Sequence, residues 1–587
     1  MRTRQGRIFG TPRVPFVKSA AWVTLAALVL SVLFSCPSAS AQTALSPERL
    51  SPDTVFYIQW RGFASLTGAN KQNHALQLWN DPDFAPVRLG IMLALQQQSA
   101  KDAAGKSTNP PPADILSLLD NGSIFGVVVG PAGTKTSASD GGSSNSGVFL
   151  VYDSTGKTAL LQKVRSASQA NEKEPPIVRN YDFGGTSVEV RTSAKDTSYS
   201  AQVANYFIFA SQKETIEGLI TRFRAPEKPA SSVTQTAEYK LARPYLGSDS
   251  VLEFFGRVPD VNALIPPEQK DKPLGQFAAK FQLGKIHVLG GSVSFNGEAT
   301  RVRGALLGDA SPGGLFDLFG ASSTTFLTQP IVDGGPIFSI SRIDLAGFYH
   351  SLRAAITAAL PPQQAGSVAM GEGMAQNYLG MPIEDALGLL TGEIASSTAF
   401  SAEDGSPQRV FAITIQKPQD LLRVLRAVGA SVIVSEDTSG TTTFLDVSYP
   451  YQDPVTGKQR RSFYYVAVTP HMLFAAQRKA TLREAMQREN AKPGAISVDP
   501  EFARMRAMLP EKLSGMGGAD FTRIPWDKVI AYYSQQMVAS QQTKGAAVPP
   551  VDWSKLVKTD VFSRHLRLSV SGWWKDANGV YVDSYLQ

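Results

Sequence analysis

Phe255-Gly256-Arg257-Val258-Pro259 has a counterpart late in the chain, Phe521-Thr522-Arg523-Ile524-Pro525. Phe-x-Arg followed by a β-branched residue and proline is a specific string. Its recurrence sets how the rest is read, because an overlooked internal repeat misassigns the whole fold. Other blocks recur around it in the same order. Val55-Phe56-Tyr57-Ile58, with Gly62-Phe63 and Leu66 beyond, matches Ile337-Phe338-Ser339-Ile340 with Gly347-Phe348 and Leu352. Leu118-Leu119, Gly122 and Ile124 match Leu389-Leu390, Gly392 and Ile394. Val148-Phe149-Leu150-Val151, then Leu160-Leu161 and Val164-Arg165, matches Val410-Phe411-Ala412-Ile413, then Leu421-Leu422 and Leu425-Arg426. Phe209-Ala210-Ser211-Gln212-Lys213, then Thr215-Ile216, Ile220 and Arg222, matches Phe474-Ala475-Ala476-Gln477-Arg478, then Thr481-Leu482, Met486 and Arg488. Ser292-Val293-Ser294 matches Ser569-Val570-Ser571, each in a hairpin whose turn is expected at Asn296-Gly297 or Asn578-Gly579.

The expectation is two tandem diverged copies of one mixed helix and antiparallel-sheet domain, class α+β. Residues 42–308 form the first copy, 309–330 a Ser/Thr/Gly-rich linker and 331–587 the second. Apolar spacing predicts strands at 53–60, 123–130, 147–152, 186–192, 199–210, 249–257 and a hairpin over 284–307. It predicts helices at 83–103, 157–168, 212–223 and 273–282. Consecutive strands near the end of each copy favour antiparallel pairing over βαβ alternation. Pro131 to Gly147 reads as a flexible surface loop, and Asn109-Pro110-Pro111-Pro112 denies a helix its donors.

The first 41 residues read as a secretory signal. Arg2, Arg4, Arg7, Arg13 and Lys18 precede an apolar run from Ala20 to Phe34, and Ala39-Ser40-Ala41 supplies the small residues for cleavage between Ala41 and Gln42. As a helix the apolar run reaches about 22 Å against a hydrocarbon core of about 30 Å, short for a stable span. A retained leader tethering the chain to the inner membrane is the alternative. A lipidated Cys36 is another, although Phe34 and Pro37 sit awkwardly around it.

The whole chain carries 57 Lys+Arg and 50 Asp+Glu, a net +7. Without the five basic residues of the leader the count is 52 against 50, or +2. A near-neutral exported protein has no electrostatic footprint for nucleic acid. Contact with a membrane is expected only through an uncleaved leader or a lipid on Cys36. That cysteine is the only one, so disulfides and thiolate metal sites are excluded from the mature part.

The opening Leu50-Ser51-Pro52-Asp53-Thr54-Val55-Phe56-Tyr57-Ile58 resembles the start of a bacterial family of exported proteins, domain of unknown function 3352. Leu389-Leu390-Thr391-Gly392-Glu393-Ile394 is similar to that family's helix end before a Gly-acid strand. The resemblance implies export and carries no activity.

Candidate chemistry is sparse. Gly156-Lys157-Thr158 looks like the end of a phosphate loop, but Val151 stands where its first glycine belongs, so a turn is expected. Ser154 and Lys157 have Ser-x-x-Lys spacing without the companion motifs of such enzymes. Asp576, Asn578 and Asp583 around Gly579 resemble a calcium loop, yet an ordinary hairpin turn is the better reading. His74, His287, His350, His471 and His565 stand apart, with no zinc-peptidase helix.

Arg257 and Arg523 are the candidate ligand-binding residues. As anion binders they would face each other across a pseudo-twofold interface. The blander reading, a structural arginine capping carbonyls or pairing with a carboxylate, is preferred. Phe56 matches Phe338 and is expected in the core, leaving Tyr57 and Trp60 freer to line a surface groove.

No catalytic residue, metal site or cofactor is assigned. The chain reads as a non-enzymatic periplasmic or extracellular protein that binds a small ligand or an envelope protein, with a cleft between its halves as the natural site. An exported hydrolase with one active and one degenerate half is the alternative.

Overall fold

Strand pairing is antiparallel throughout the computed structural model, and the pairs join into one sheet. Residues 45–587 are described, except 67–69, 71, 91–111, 130–145, 170–175, 194–195, 248, 259–271, 311–313, 333, 453–458, 490–495 and 544–557. Before residue 309 the strands are β1 (Thr54–Trp60), β2 (Ser123–Val129), β3 (Ser146–Asp153), β4 (Ile177–Phe183), β5 (Thr186–Thr192), β6 (Thr197–Val203), β7 (Tyr206–Ala210), β8 (Ser250–Arg257), β9 (Ile286–Asn296) and β10 (Ala299–Gly308). After it come β11 (Ile337–Arg342), β12 (Leu390–Phe400), β13 (Pro407–Ile415), β14 (Ile433–Ser439), β15 (Thr442–Gln452), β16 (Gln459–Val468), β17 (Met472–Ala476), β18 (Gly515–Asp520), β19 (Leu568–Asp576) and β20 (Gly579–Leu586).

Across the first half the order is β4-β5-β6-β7-β3-β2-β1-β8-β9-β10. Across the second it is β14-β15-β16-β17-β13-β12-β11-β18-β19-β20, the same order strand for strand. The last strands of the halves, β10 and β20, pair from Thr300↔Leu586 to Leu307↔Gly579.

Walking the ladders from a shared starting face fixes which residues occupy the same place. Tyr57 pairs with Gly126 and Phe255, and Phe338 with Ser397 and Gly518. Outward from there, Phe149 and Ala210 in the first half stand where Val410 and Ala476 stand in the second. Both sets lie under a helix, Lys213–Arg224 in one half and Lys479–Gln487 in the other. The first of these helices buries Ile216, Leu219, Ile220 and Phe223 at helical spacing. Glu214 in its first turn and Arg222 and Arg224 in its last complement the helix dipole.

The ladders correct the alignment read from sequence. Phe149 had been matched to Phe411, but Phe149 is 0% exposed and Phe411 36%, and Val410 is the residue at the equivalent place. Phe56 likewise gives way to Tyr57 as the counterpart of Phe338. A one-residue slip in a strand moves every side chain to the other face. Tyr57, read as free to serve a surface, is therefore buried, and Trp60 is buried on the opposite face of the sheet among Phe63, Leu76 and Phe295. The hairpin turns also fall one residue off: Asn296 pairs with Ala299 and Asp576 with Gly579, so Gly297-Glu298 and Ala577-Asn578 make the turns. The strand expected at 199–210 is two strands, folded back at Ala204-Asn205 with Ala204 at φ 49°. Of the helix expected at 83–103, residues 85–90 are helical and 91–103 lie outside the described residues.

The halves share more than a strand pair. Trp574 packs against the core of each. Tyr245 of the first half stacks on Tyr581 at 5.1 Å, and Tyr581 on Trp574 at 5.4 Å. A second contact joins the helices His74–Asn80 and Asp560–His565, with Phe84 edge-on to Phe562 and Asp81 2.8 Å from His565. Segment 309–330 packs on the second half, where Phe316 and Phe326 are buried and the Lys575 ammonium donates to the Phe316 and Phe319 carbonyls. Among the described residues no helix is long and apolar enough to cross a membrane.

Candidate functional site

A cavity of about 390 Å³ opens in the first half, beside the start of the described chain. One wall is Ser46 to Glu48, a short 3₁₀ turn capped by the Ser46 hydroxyl. Buried Leu45 and Leu50 pin that turn to the core, and Gln59 donates to the Leu45 carbonyl. The opposite wall is the segment from Thr234 to Arg243, with Thr236 capping the helix Ala237–Ala242 that presents Tyr239 and Lys240. The floor comes from the sheet: Arg61, just past β1, and Glu253 on β8.

Glu253 is 2% exposed. The Tyr57 hydroxyl donates to it at 2.6 Å, and an Arg61 guanidinium nitrogen stands 3.7 Å from its other oxygen. Burial pushes the Glu253 carboxyl above the usual carboxylate range, against the opposing pull of Tyr57, Arg61 and Arg243. Burial, reinforced by that carboxylate, also raises the phenols of Tyr57 and Tyr239. Arg61 and Arg243 are oriented by backbone carbonyls, Gly247 at 3.3 Å and Leu246 at 2.6 Å. At the rim, Lys228 lies 2.5 Å from Glu48 and holds that carboxyl below its ordinary value. The cavity thus combines a sequestered carboxylate, backed by the buried Tyr57, with the Tyr239 phenol and converging guanidinium groups. It can hold a small polar molecule by hydrogen bonds and charge.

The same ladder places in the second half are filled differently. Phe338 stands for Tyr57 and Met516 for Glu253, and the helix Pro500–Arg506, capped by Asp499 as Ala237–Ala242 is by Thr236, packs Phe502 on Phe338 at 6.0 Å. The arginine is kept: Arg342 holds the place of Arg61. Its carboxylate comes from the opposite neighbour, Glu393 on β12, at 2.8 Å. Glu393 is 3% exposed and also accepts from the Thr328 amide and hydroxyl at 3.1 and 3.2 Å. Gly122 occupies the place of Glu393 in the first half, next to the pair Trp60↔Ser123.

Arg257 and Arg523 do not meet across an interface. Arg257 donates to the Pro52 carbonyl at 2.8 Å and Arg523 to the Gly334 carbonyl at 2.7 Å. Each clamps the segment leading into the first strand of its own half. Arg257 ends β8, whereas Arg523 follows β18 in the 3₁₀ turn Phe521–Arg523.

The other sequence candidates resolve into structural roles. Lys157 reaches Ser117 and Asp120 at 2.6 and 3.0 Å, and the Ser154 hydroxyl donates to the Asn205 carbonyl. Asp576 accepts from the Asn578 amide and the Tyr581 hydroxyl, and Asp583 pairs with Arg301. Among the described residues no group of His, Cys, Asp or Glu could hold a metal ion. Cys36, Ala41 and Gln42 lie outside the described residues.

Arg61, Arg243 and Glu253 escaped the reading of the sequence. The available signal was an acid alone inside an apolar strand, Val251-Leu252-Glu253-Phe254-Phe255. A charge there must find a partner or stay neutral. Comparison with family models, curated proteins and solved structures gives no match.

Proposed function

We propose that this chain is an exported, non-enzymatic binding protein of the bacterial cell envelope, and that its ligand site is the Arg61–Glu253 cavity. Its halves are two diverged copies of one domain, of which the first keeps a polar site and the second has exchanged it for apolar packing. Export to the periplasm or beyond, and kinship with domain of unknown function 3352, belong to the same proposal. The observation that carries it is that Phe338 and Met516 stand at the ladder places of Tyr57 and Glu253, with Phe502 rather than a tyrosine packed on Phe338. A buried carboxylate is expensive where it has no task, and an apolar core of the same shape is often the more stable choice. The second half buries a carboxylate too, but Glu393 is closed in by Arg342 and Thr328, whereas Glu253 opens on a cavity, and that difference supports a task for Glu253. The cavity lies within the first half rather than between the halves, as the sequence had led us to expect.

A thermal-shift screen across fatty acids, phospholipids, glycans, peptidoglycan fragments and divalent metals tests this, since a ligand of the folded state raises the midpoint by mass action. Thr234→Phe, which fills the cavity without removing a charge, abolishes the shift if the cavity is the site. A shift that survives it refutes the assignment. A hydrolase with one working half draws on the same asymmetry. However, the Ser46 hydroxyl bonds to Glu48 and the Thr234 hydroxyl to Ser232, so neither is paired with Glu253. Turnover of an ester or glycoside panel that Glu253→Gln abolishes would favour the hydrolase.

A further inference from the structure

We infer that the cavity selects a small organic acid carrying a hydroxyl or ammonium donor beside its acid group. This rests on the cavity being the binding site proposed above. The charges divide by depth. Lys240 and Arg243 are exposed at the mouth, while the acid of that region, Glu48, is taken up by Lys228. The mouth is therefore left with a surplus of positive charge, suited to a carboxylate held by a guanidinium fork.

The floor asks for the opposite. A carboxylate offers about four acceptor sites, and Glu253 takes a hydrogen bond from Tyr57 and has Ser250 beside it, while its closest Arg61 nitrogen stands at 3.7 Å, so capacity remains. A buried acceptor with spare capacity favours a ligand that brings a donor. Tyr239 closes the side, and its hydroxyl can donate or accept. At about 390 Å³ the space lies at the small end of ligand sites.

Malate, aspartate and succinate share a four-carbon diacid skeleton and differ in the donor: a hydroxyl, an ammonium or none. Calorimetric titration of the purified protein is expected to give malate or aspartate an affinity about tenfold or more above succinate. Glu253→Gln should bring the gap to within about twofold, because an amide answers a donor less well than a carboxylate. Arg243→Gln, at an exposed position that does not threaten folding, should weaken all three alike. Succinate binding as well as the others, or a preference unchanged in Glu253→Gln, overturns the inference. If none of the three binds while a member of the wider panel does so in a Thr234→Phe-sensitive way, the binding site stands and the ligand class is wrong. If nothing in either set binds, both readings fall.

Discussion

An arginine follows or ends the first strand in each half, but its carboxylate comes from opposite sides. Arg61 looks to Glu253 on β8, and Arg342 looks to Glu393 on β12. Between the two arrangements the sheet order is unchanged, so the fold demands the cation and leaves the anion's origin free. The consequence differs. Glu393 is closed in by Arg342 and Thr328, whereas Glu253 keeps a looser arginine and opens on a cavity. One half closes its ion pair in, and in the other the pair lines a cavity.

The comparison breaks most readily at Glu393. Glu393→Ala removes the partner of a mostly buried arginine and frees Thr328, and should destabilise by about 3–5 kcal/mol in urea unfolding. Glu253→Ala, whose arginine stands farther off beside a cavity open to water, should lose clearly less. Equal losses would erase the distinction drawn here. Next is Gly518, which stands where Phe255 stands in the first half. An added Cβ would come 2.6 Å from the Phe338 ring and 2.8 Å from that of Phe502. Gly518→Ala should therefore cost about 1–3 kcal/mol by overpacking, and Phe338→Leu in the same chain should recover part of it.

The two arginine clamps sharpen the likeness instead. Arg257→Ala and Arg523→Ala each remove one charge-assisted bond to a carbonyl, and each should lower stability by about 1–2 kcal/mol, nearly equally. A difference much beyond that would mean that one arginine has a further role.

The smallest effect is on pH. Because the folded-state pKa of Glu253 is raised, its protonated form is favoured by folding. That contribution is whole below the unfolded pKa and is lost as pH rises through the folded one. Glu253→Gln should gain stability relative to wild type as pH rises above the unfolded carboxyl's value of about 4.3. A melting-temperature difference that stays flat, or moves the other way, would contradict the assigned direction.

Order was legible in the sequence and face was not. Matching Phe149 to Phe411 pairs like with like, yet one ring is in the core and the other is at the surface. Residue identity is shared between the faces of a strand, whereas burial is not. On helices the spacing itself marks the buried side, and there Ile216 and Leu482 were matched in register. The Phe-x-Arg strings pointed to a shared role that holds, although one arginine lies on a strand and the other in a turn. The cavity was hidden because its parts come from three separated stretches, and only the isolated acid in an apolar strand marked any of them. Strand β4 went unseen because it is nearly all exposed and so lacks alternation.

Arg303 and Asp583 occupy equivalent places in their halves and are also paired directly across the β10–β20 junction. The local symmetry axis therefore runs through them. Were two identical strands to meet here, that position would face itself, arginine on arginine or aspartate on aspartate. Like charges opposite one another disfavour such pairing. A single chain carrying one of each closes on itself, while a β10 from one molecule is poorly matched to the β10 of another. Because the halves carry opposite charges at this one place, the junction distinguishes the chain's own second half from another molecule's first.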